Sequence, residues 1–249
     1  MFKPQIDRYL NRHGYLAASP RAVLVDMDGT LYDSMPCHAA AWQQMMSEIG
    51  VDVPREEFFR YEGRTGASTI NILFKRAFGR TATDEEVSRL YHRKTELFAS
   101  FPPVSPIEGA QELMTFLRDT EMERVLVTGS GQSTLINRLD SDYPGIFDAG
   151  RRITSRDVAH GKPAPEPYIK AMQLVDRQPY ECIVLENAPL GVQAGAASGA
   201  FTIGINTGPI DIRELADAGA DLVFESMAEC RDAMPVLLFD LLTTSHNYN

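Results

Sequence analysis

Five short apolar runs constrain this chain more than any other feature: Ala22 to Val25, Arg124 to Val127, Arg152 to Thr154, Cys182 to Leu185, and Phe201 to Ile205. Each is followed at once by Asp, Thr, Ser, Glu or Asn. Runs this short that do not alternate with polar residues belong in strands covered on both faces, as in a parallel sheet. Helical spacing lies between them, at Ala110 to Leu117 and Pro167 to Val175, and the Ala- and Gly-rich stretch Gly191 to Gly199 suits a helix lying close on a sheet. Strands alternating with helices predict a doubly wound, Rossmann-like α/β core with a parallel sheet.

One stretch breaks the alternation. Residues 36–104 hold no strand-like run and read as amphipathic helices over Cys37 to Ile49, Glu56 to Tyr61, Ser68 to Phe78 and Asp84 to Phe98. Thr83 with Glu86 three positions on forms a capping-box pattern before the last. Lys75 and Lys94, the lysines of this stretch, sit on patterns that read as solvated helix faces. The Pro-rich segment at residues 101–106 then leads back. The expected division is a core of residues 1–35 and 105–249 and a small all-helical cap of residues 36–104. Residues 1–18 read either as a short helix on the core or as a loose end.

Of the 249 residues 44% are apolar, enough for an ordinary core plus a smaller second unit. Lys and Arg number 24 against 34 Asp and Glu, a formal charge of −10 that repels nucleic-acid backbones and anionic lipid. Cys37, Cys182 and Cys230 make neither a disulfide framework nor a C-x-x-C pair, which points to a reducing compartment. The first twenty residues lack a long apolar run, and no segment approaches the roughly 18 apolar residues that span a bilayer. The expectation is a cytoplasmic monomer whose partner is a small molecule, with neither nucleic acid nor membrane.

In a doubly wound sheet, ligands sit beyond the carboxyl ends of the strands. The residues there are Asp26-Met27-Asp28-Gly29-Thr30, Thr128-Gly129-Ser130 and Glu186-Asn187, with Lys162 in the Pro-rich loop after the third strand. Two carboxylates two residues apart in a dry site need a cation, and Mg2+ takes oxygen ligands. Asp26 can act as a nucleophile, because carboxylates form aspartyl-phosphates, and Asp28 can move the proton. The Thr128 hydroxyl and the exposed N–H groups at Gly129 and Ser130 make a phosphate cradle. Lys162 can offset the charge of a phosphorylated carboxylate. Glu186 is a natural metal ligand, and Asn187 offers a neutral carbonyl oxygen or a helix N-cap.

Each signal alone is modest, but their order resembles the haloacid dehalogenase superfamily, and the helical insert resembles its C1-type cap. The resemblance implies Asp26 as nucleophile, Asp28 as acid and base, Thr128 and Lys162 as phosphate ligands, and Mg2+ held by Asp26, the Asp28 carbonyl, Glu186 and Asn187. The segments His38 to Trp42 and Lys162 to Pro165 look like the β-phosphoglucomutase-like branch, which places His38 near the entering substrate. Where the mutases typically carry Leu-Lys-Gly-x-Ser-Arg, this chain has Tyr61-Glu62-Gly63-Arg64-Thr65-Gly66, and the usual Glu-Asp pair has become Glu186-Asn187. Glu62 can return from the cap the negative charge that Asn187 removes from the metal site. Arg64 can grip a leaving phosphate in a bidentate manner. The segments Glu62 to Ser68, with Thr65 among the implied substrate contacts, and Glu186 to Gly191 closely resemble the bacterial pyrophosphatases of this branch. The expected activity is Mg-dependent hydrolysis of inorganic pyrophosphate or a small phosphate ester; the alternative is a sugar phosphomutase.

Overall fold

The computed structural model describes residues 1–130 and 133–245. In chain order the elements begin with α1 (Lys3–His13) and β1 (Ala22–Val25). There follow α2 (Met35–Glu48), a 3-10 turn (Arg55–Tyr61), α3 (Gly66–Phe78) and α4 (Asp84–Ser100). The chain continues through α5 (Ala110–Asp119), β2 (Glu123–Val127), α6 (Ser133–Ile136), α7 (Leu139–Asp142), β3 (Arg152–Ile153) and α8 (Glu166–Leu174). A second 3-10 turn (Pro179–Glu181), β4 (Cys182–Glu186), α9 (Pro189–Ser198), β5 (Phe201–Ile205), α10 (Ile212–Asp217), β6 (Leu222–Phe224) and α11 (Met227–Thr243) complete it.

The six strands form one parallel sheet in the order β3-β2-β1-β4-β5-β6. This is the doubly wound core that the apolar runs predict. The strand expected at Arg152 to Thr154 is two residues long, and β6 was not among the five runs. Side chains leave β1 and β4 alternately to the two faces. Val23, Val25, Ile183 and Leu185 join one apolar cluster with α5 and α11, whereas Ala22, Leu24, Cys182 and Val184 join another with Tyr168, Ala171 and Met172 of α8 and Ala194 of α9. The sheet is thus dry on both sides, as such strands require.

Residues 1–18 resolve in favour of a helix on the core: Ile6, Tyr9 and Leu10 are fully buried, and α1 packs against α11. The helices between β1 and α5 pack on one another through Met45, Phe58, Leu73, Phe74, Leu90 and Leu97. The segment expected as a helix from Glu56 to Tyr61 is a 3-10 turn with only Phe58 buried. At the N-terminus of α4 the Thr83 side chain accepts from Glu86 N and the Glu86 side chain accepts from Thr83 N, which is the expected capping box. The two chain crossings into and out of this helical cap are tied together. Asp33 N donates to the Ser105 carbonyl at 3.0 Å and Ile107 N to that of Leu31 at 2.9 Å. No helix among the described residues is long and apolar enough to cross a membrane.

Candidate active site

The order of the sheet decides where the site forms. The chain leaves β1 for β2 on one side and reaches β4 on the other, so a crevice opens beyond the carboxyl ends of these three strands. Asp26 follows β1, Thr128 follows β2 and Glu186 ends β4. Lys162 reaches the same point from the loop before α8. Its Nζ is ion-paired with Asp26, lies 2.5 Å from Glu186 Oε1 and donates to the Val127 carbonyl at 3.1 Å. Tyr168 donates to Glu186 Oε1 at 2.7 Å, and its ring lies under the Lys162 ammonium.

Gly29 makes the turn after Asp28. Its φ is +80°, and a Cβ there would lie 2.0 Å from Asn187 Nδ2 and 2.5 Å from Glu62 Oε1. Only glycine tolerates both the backbone angle and the crowding. Asn187 accepts from Thr30 Oγ1 at 3.1 Å and donates from Nδ2 to Glu62 Oε1 at 2.8 Å. The helix N-cap position that Asn187 offered belongs instead to Ala188. A cap carboxylate therefore meets a core amide 125 positions along the chain. Close by, a Cβ on Gly129 would lie 2.4 Å from the Gly63 carbonyl oxygen, so the cap tip and the β2 loop are in backbone contact.

Asp28 carries a chain of polar groups that ends in the cap. Its Oδ1 accepts from Ser34 Oγ at 2.7 Å and from His38 Nε2 at 2.8 Å, and its Oδ2 lies 3.5 Å from Thr128 Oγ1. Lys94 Nζ lies 2.6 Å from His38 Nδ1. An ammonium donating to Nδ1 leaves the imidazole proton on Nε2, facing Asp28. This corrects the expectation for Lys94. It is 3% exposed and stands in α4 on the stripe of Leu90, Leu97 and Phe98, whereas Lys75 is exposed as expected. Burial pushes the Lys94 pKa down to about 7 against the pull of Asp28. Burial and Lys94 also lower His38. Burial would raise Asp28, but the electrostatic pull of His38, the hydrogen bonds from His38 and Ser34 and the nearby Lys94 outweigh it and hold Asp28 at about 2.

Asp26 and Glu62 go the other way. Burial drives Asp26 well above its ordinary range, with Glu186 and Asp28 adding to the rise and Lys162 opposing it. Burial likewise raises Glu62, against the Asn187 hydrogen bond and with Asp26, Glu186 and Asp28 adding. Asp26 and Glu186 thus face the Lys162 ammonium, whose proton they hold firmly. Among the described residues no three His, Cys, Asp or Glu side chains are gathered as a ready metal cage. The donors expected here are two carboxylates, an amide oxygen and a main-chain carbonyl. All are oxygen, and the surplus of negative charge is of the kind a hard divalent cation relieves, so these residues fit such an ion.

The cavity above Asp26 and Asp28 measures about 60 Å³ and is walled by the cap residues His38, Glu62, Arg64 and Tyr91 and by Thr128 to Ser130. At about 10–15 Å³ per water this is room for a handful of water-sized groups. Ser130 N donates to Thr128 Oγ1 at 3.0 Å. Arg64 Nη1 donates to Ser68 Oγ at 3.4 Å, and its buried Nε has no partner. Thr65 does not line the cavity; its hydroxyl caps α3 by accepting from Ser68 N at 3.3 Å. The sequence reading missed Ser34, Tyr168 and the burial of Lys94 against His38. Of these only Lys94 carried a signal, its place on the apolar stripe of α4.

A six-stranded parallel sheet with a helical cap and these strand-end residues defines a class, and a family model agrees: the haloacid dehalogenase-like hydrolase model matches residues 20–199. The chain belongs to this family and is a hydrolase of the phosphatase kind. It is 33% identical over 215 residues to 2-deoxyglucose-6-phosphate phosphatase 1 of Saccharomyces cerevisiae, covering 80% of this chain and 85% of that protein. Hexitol phosphatase A of Escherichia coli is 29% identical over 84% of this chain and 92% of its own length. Among solved structures, a "putative beta-phosphoglucomutase" from Bacteroides vulgatus superposes with a TM-score of 0.93 at 45% identity, covering 96% of this chain and 98% of that one.

Proposed function

We propose that this hydrolase transfers a phosphoryl group to Asp26 and then to water, with Mg2+ as cofactor and inorganic pyrophosphate as its preferred substrate. The observation that carries this reading is the small cavity that Glu62, Arg64 and the β2 loop line over Asp26. Asp26 attacks phosphorus while Lys162, Thr128 and the N–H groups at Gly129 and Ser130 take up the negative charge of the phosphoryl oxygens. Asp26, the Asp28 carbonyl, Glu186 and Asn187 would hold Mg2+, with Glu62 reaching it from the cap. Bound there, the ion would supply charge neutralisation for the reacting phosphoryl group.

Asp28 supports the choice of leaving group. Held at about 2 by His38 and Ser34, it stands as a carboxylate and is a poor proton donor at neutral pH. A departing phosphate needs less protonation than a sugar alkoxide, which favours an anhydride over an ester. In the second half-reaction the same carboxylate takes a proton from water as that water attacks the aspartyl-phosphate. Arg64, with its unpartnered buried Nε, would bind the departing phosphate.

A second reading has its own support. Relatives named for sugar phosphates favour small phosphate monoesters as substrates. A phosphomutase fits less well, because Glu62 and Gly66 replace the cap residues with which the mutases typically face the site. Phosphate release from pyrophosphate and from a sugar-phosphate panel, with Mg2+ and with Asp26→Asn as blank, tests the proposal. Pyrophosphate should lead in kcat/KM. Faster turnover of a sugar phosphate would overturn the substrate, and isomer interconversion of β-glucose 1-phosphate with a bisphosphate primer and no phosphate release would overturn hydrolysis.

A further inference from the structure

The Lys162 ammonium has three N–H groups, and all three are engaged inside the protein. One meets Asp26, one meets Glu186 Oε1 at 2.5 Å, and one is donated to the Val127 carbonyl at 3.1 Å. To grip a phosphoryl oxygen the ammonium must give up one of them. Glu186 is 1% exposed, and a buried carboxylate that loses its cation must keep hydrogen bonds or move. Its Oε2 accepts from Asn187 N at 3.1 Å and from Ala188 N at 3.4 Å. A Cβ on Gly191 would lie 1.9 Å from Oε1, so that oxygen stands directly against the backbone of α9. On Oε1 a second donor is already in place, the Tyr168 hydroxyl at 2.7 Å. Burial, with the charges of Glu186 and Asp26 adding, drives this phenol well above its ordinary range, so it remains a donor. The Tyr168 side chain is fully buried in one apolar cluster with Leu24, Val125, Ala171 and Met172, and this packing fixes where the hydroxyl points.

We propose that Tyr168 is a positioning residue that holds Glu186 in place once Lys162 has turned to the phosphoryl group. The inference rests on the phosphohydrolase reading and deepens it. Of its three partners, Lys162 releases Glu186 most readily, because the released oxygen keeps the Tyr168 hydrogen bond. Asp26 is the nucleophile, and the ammonium must stay beside it. The Val127 carbonyl belongs to β2 and is held by the sheet. Tyr168 thus lets Lys162 bridge two carboxylates at rest and bind a phosphate during the reaction, with Glu186 oriented throughout for a divalent cation. A side chain that orients a metal ligand from behind is commonly worth about ten- to a hundredfold in metal affinity.

The test is Tyr168→Phe, which keeps the ring under Lys162 and removes the hydroxyl alone. In the resting variant Glu186 retains Lys162, Asn187 N and Ala188 N, so the protein should fold, and a thermal melt checks this. Mg2+ binding is measured by calorimetry on the full chain, without and with saturating inorganic phosphate, which occupies Lys162 as the substrate does. Without phosphate the variant should bind Mg2+ as wild type does. With phosphate it should bind Mg2+ about tenfold more weakly or worse, and kcat should fall with it. Wild-type affinity in both conditions overturns the proposal. A loss of the same size in both overturns it too, because Tyr168 would then orient Glu186 whether or not Lys162 has left. Absence of Asp26-dependent phosphate release from pyrophosphate and from the sugar-phosphate panel in wild type overturns the phosphohydrolase reading instead, and the role of Tyr168 with it.

Discussion

Lys94 holds an ammonium in a place where charge is expensive. It is 3% exposed, with the Trp42 and Phe98 rings each 5.3 Å from Nζ and His38 Nδ1 as its hydrogen-bond acceptor. The unfolded chain binds this proton up to about pH 10.5, the folded one only up to about 7. Between these values the unfolded state carries more protons, so stability rises with pH across the window. Below about pH 7 the burial cost is fully present, and at most it amounts to about 5 kcal/mol. Lys94→Met removes this dependence. Thermal melts should show wild type gaining on the variant from pH 7 to pH 9.5, and parallel curves would contradict the assignment. Asp26, Asp28, Thr128, Lys162 and Glu186 were legible in the sequence because each stands at or just beyond a strand end or in a Pro-rich loop. Lys94 was misread because charge was weighed ahead of period: with Leu90, Leu97 and Phe98 it follows the helical spacing of a buried face.

At the level of elements, α9 shows how closely a helix can approach this sheet. A Cβ on Gly195 would lie 2.9 Å from Thr202 Oγ1 and from Val184 Cγ1. Gly195→Val should therefore cost about 1–3 kcal/mol through overpacking. Gly208→Ala, where nothing stands within 4 Å, should leave stability nearly unchanged. Urea unfolding of both variants measures the contrast, and equal midpoints would show that α9 has slack. The Ala and Gly content of this helix announced such packing in advance. Other elements were less legible for physical reasons. The edge strand β6 offers only Leu222, Val223 and Phe224. In α11 an internal Pro235 and the exposed Val236, Phe239 and Leu242 blur the apolar stripe that would have marked a helix. The turn at Arg55–Tyr61 has the composition of a helix but buries Phe58 alone, too little apolar surface to hold a longer one.

For the molecule as a whole, the decisive joint is the one between cap and core. The two crossings are hydrogen-bonded to each other near Asp33 and Ile107, so the cap is hinged at one end and meets the core again at Glu62. That contact combines a hydrogen bond to Asn187 with a carboxyl group that a cation would draw into its charged form, and the two contributions can be separated. Glu62→Gln keeps an oxygen for Asn187 Nδ2 and removes the charge; Glu62→Ala removes both. If the charge helps to hold a divalent cation, both variants lose turnover, on the order of a hundredfold, and both need more Mg2+ for half-maximal rate. Only Glu62→Ala should also open the cap, seen as faster proteolysis near residues 101–106 and a larger radius of gyration. Neither should unfold the protein, because Glu62 lies in a loop and packs on no apolar core. Wild-type turnover in Glu62→Gln would assign the residue to closure alone. Wild-type turnover in Glu62→Ala would remove it from the reaction altogether, and with it the reason to place the metal between cap and core.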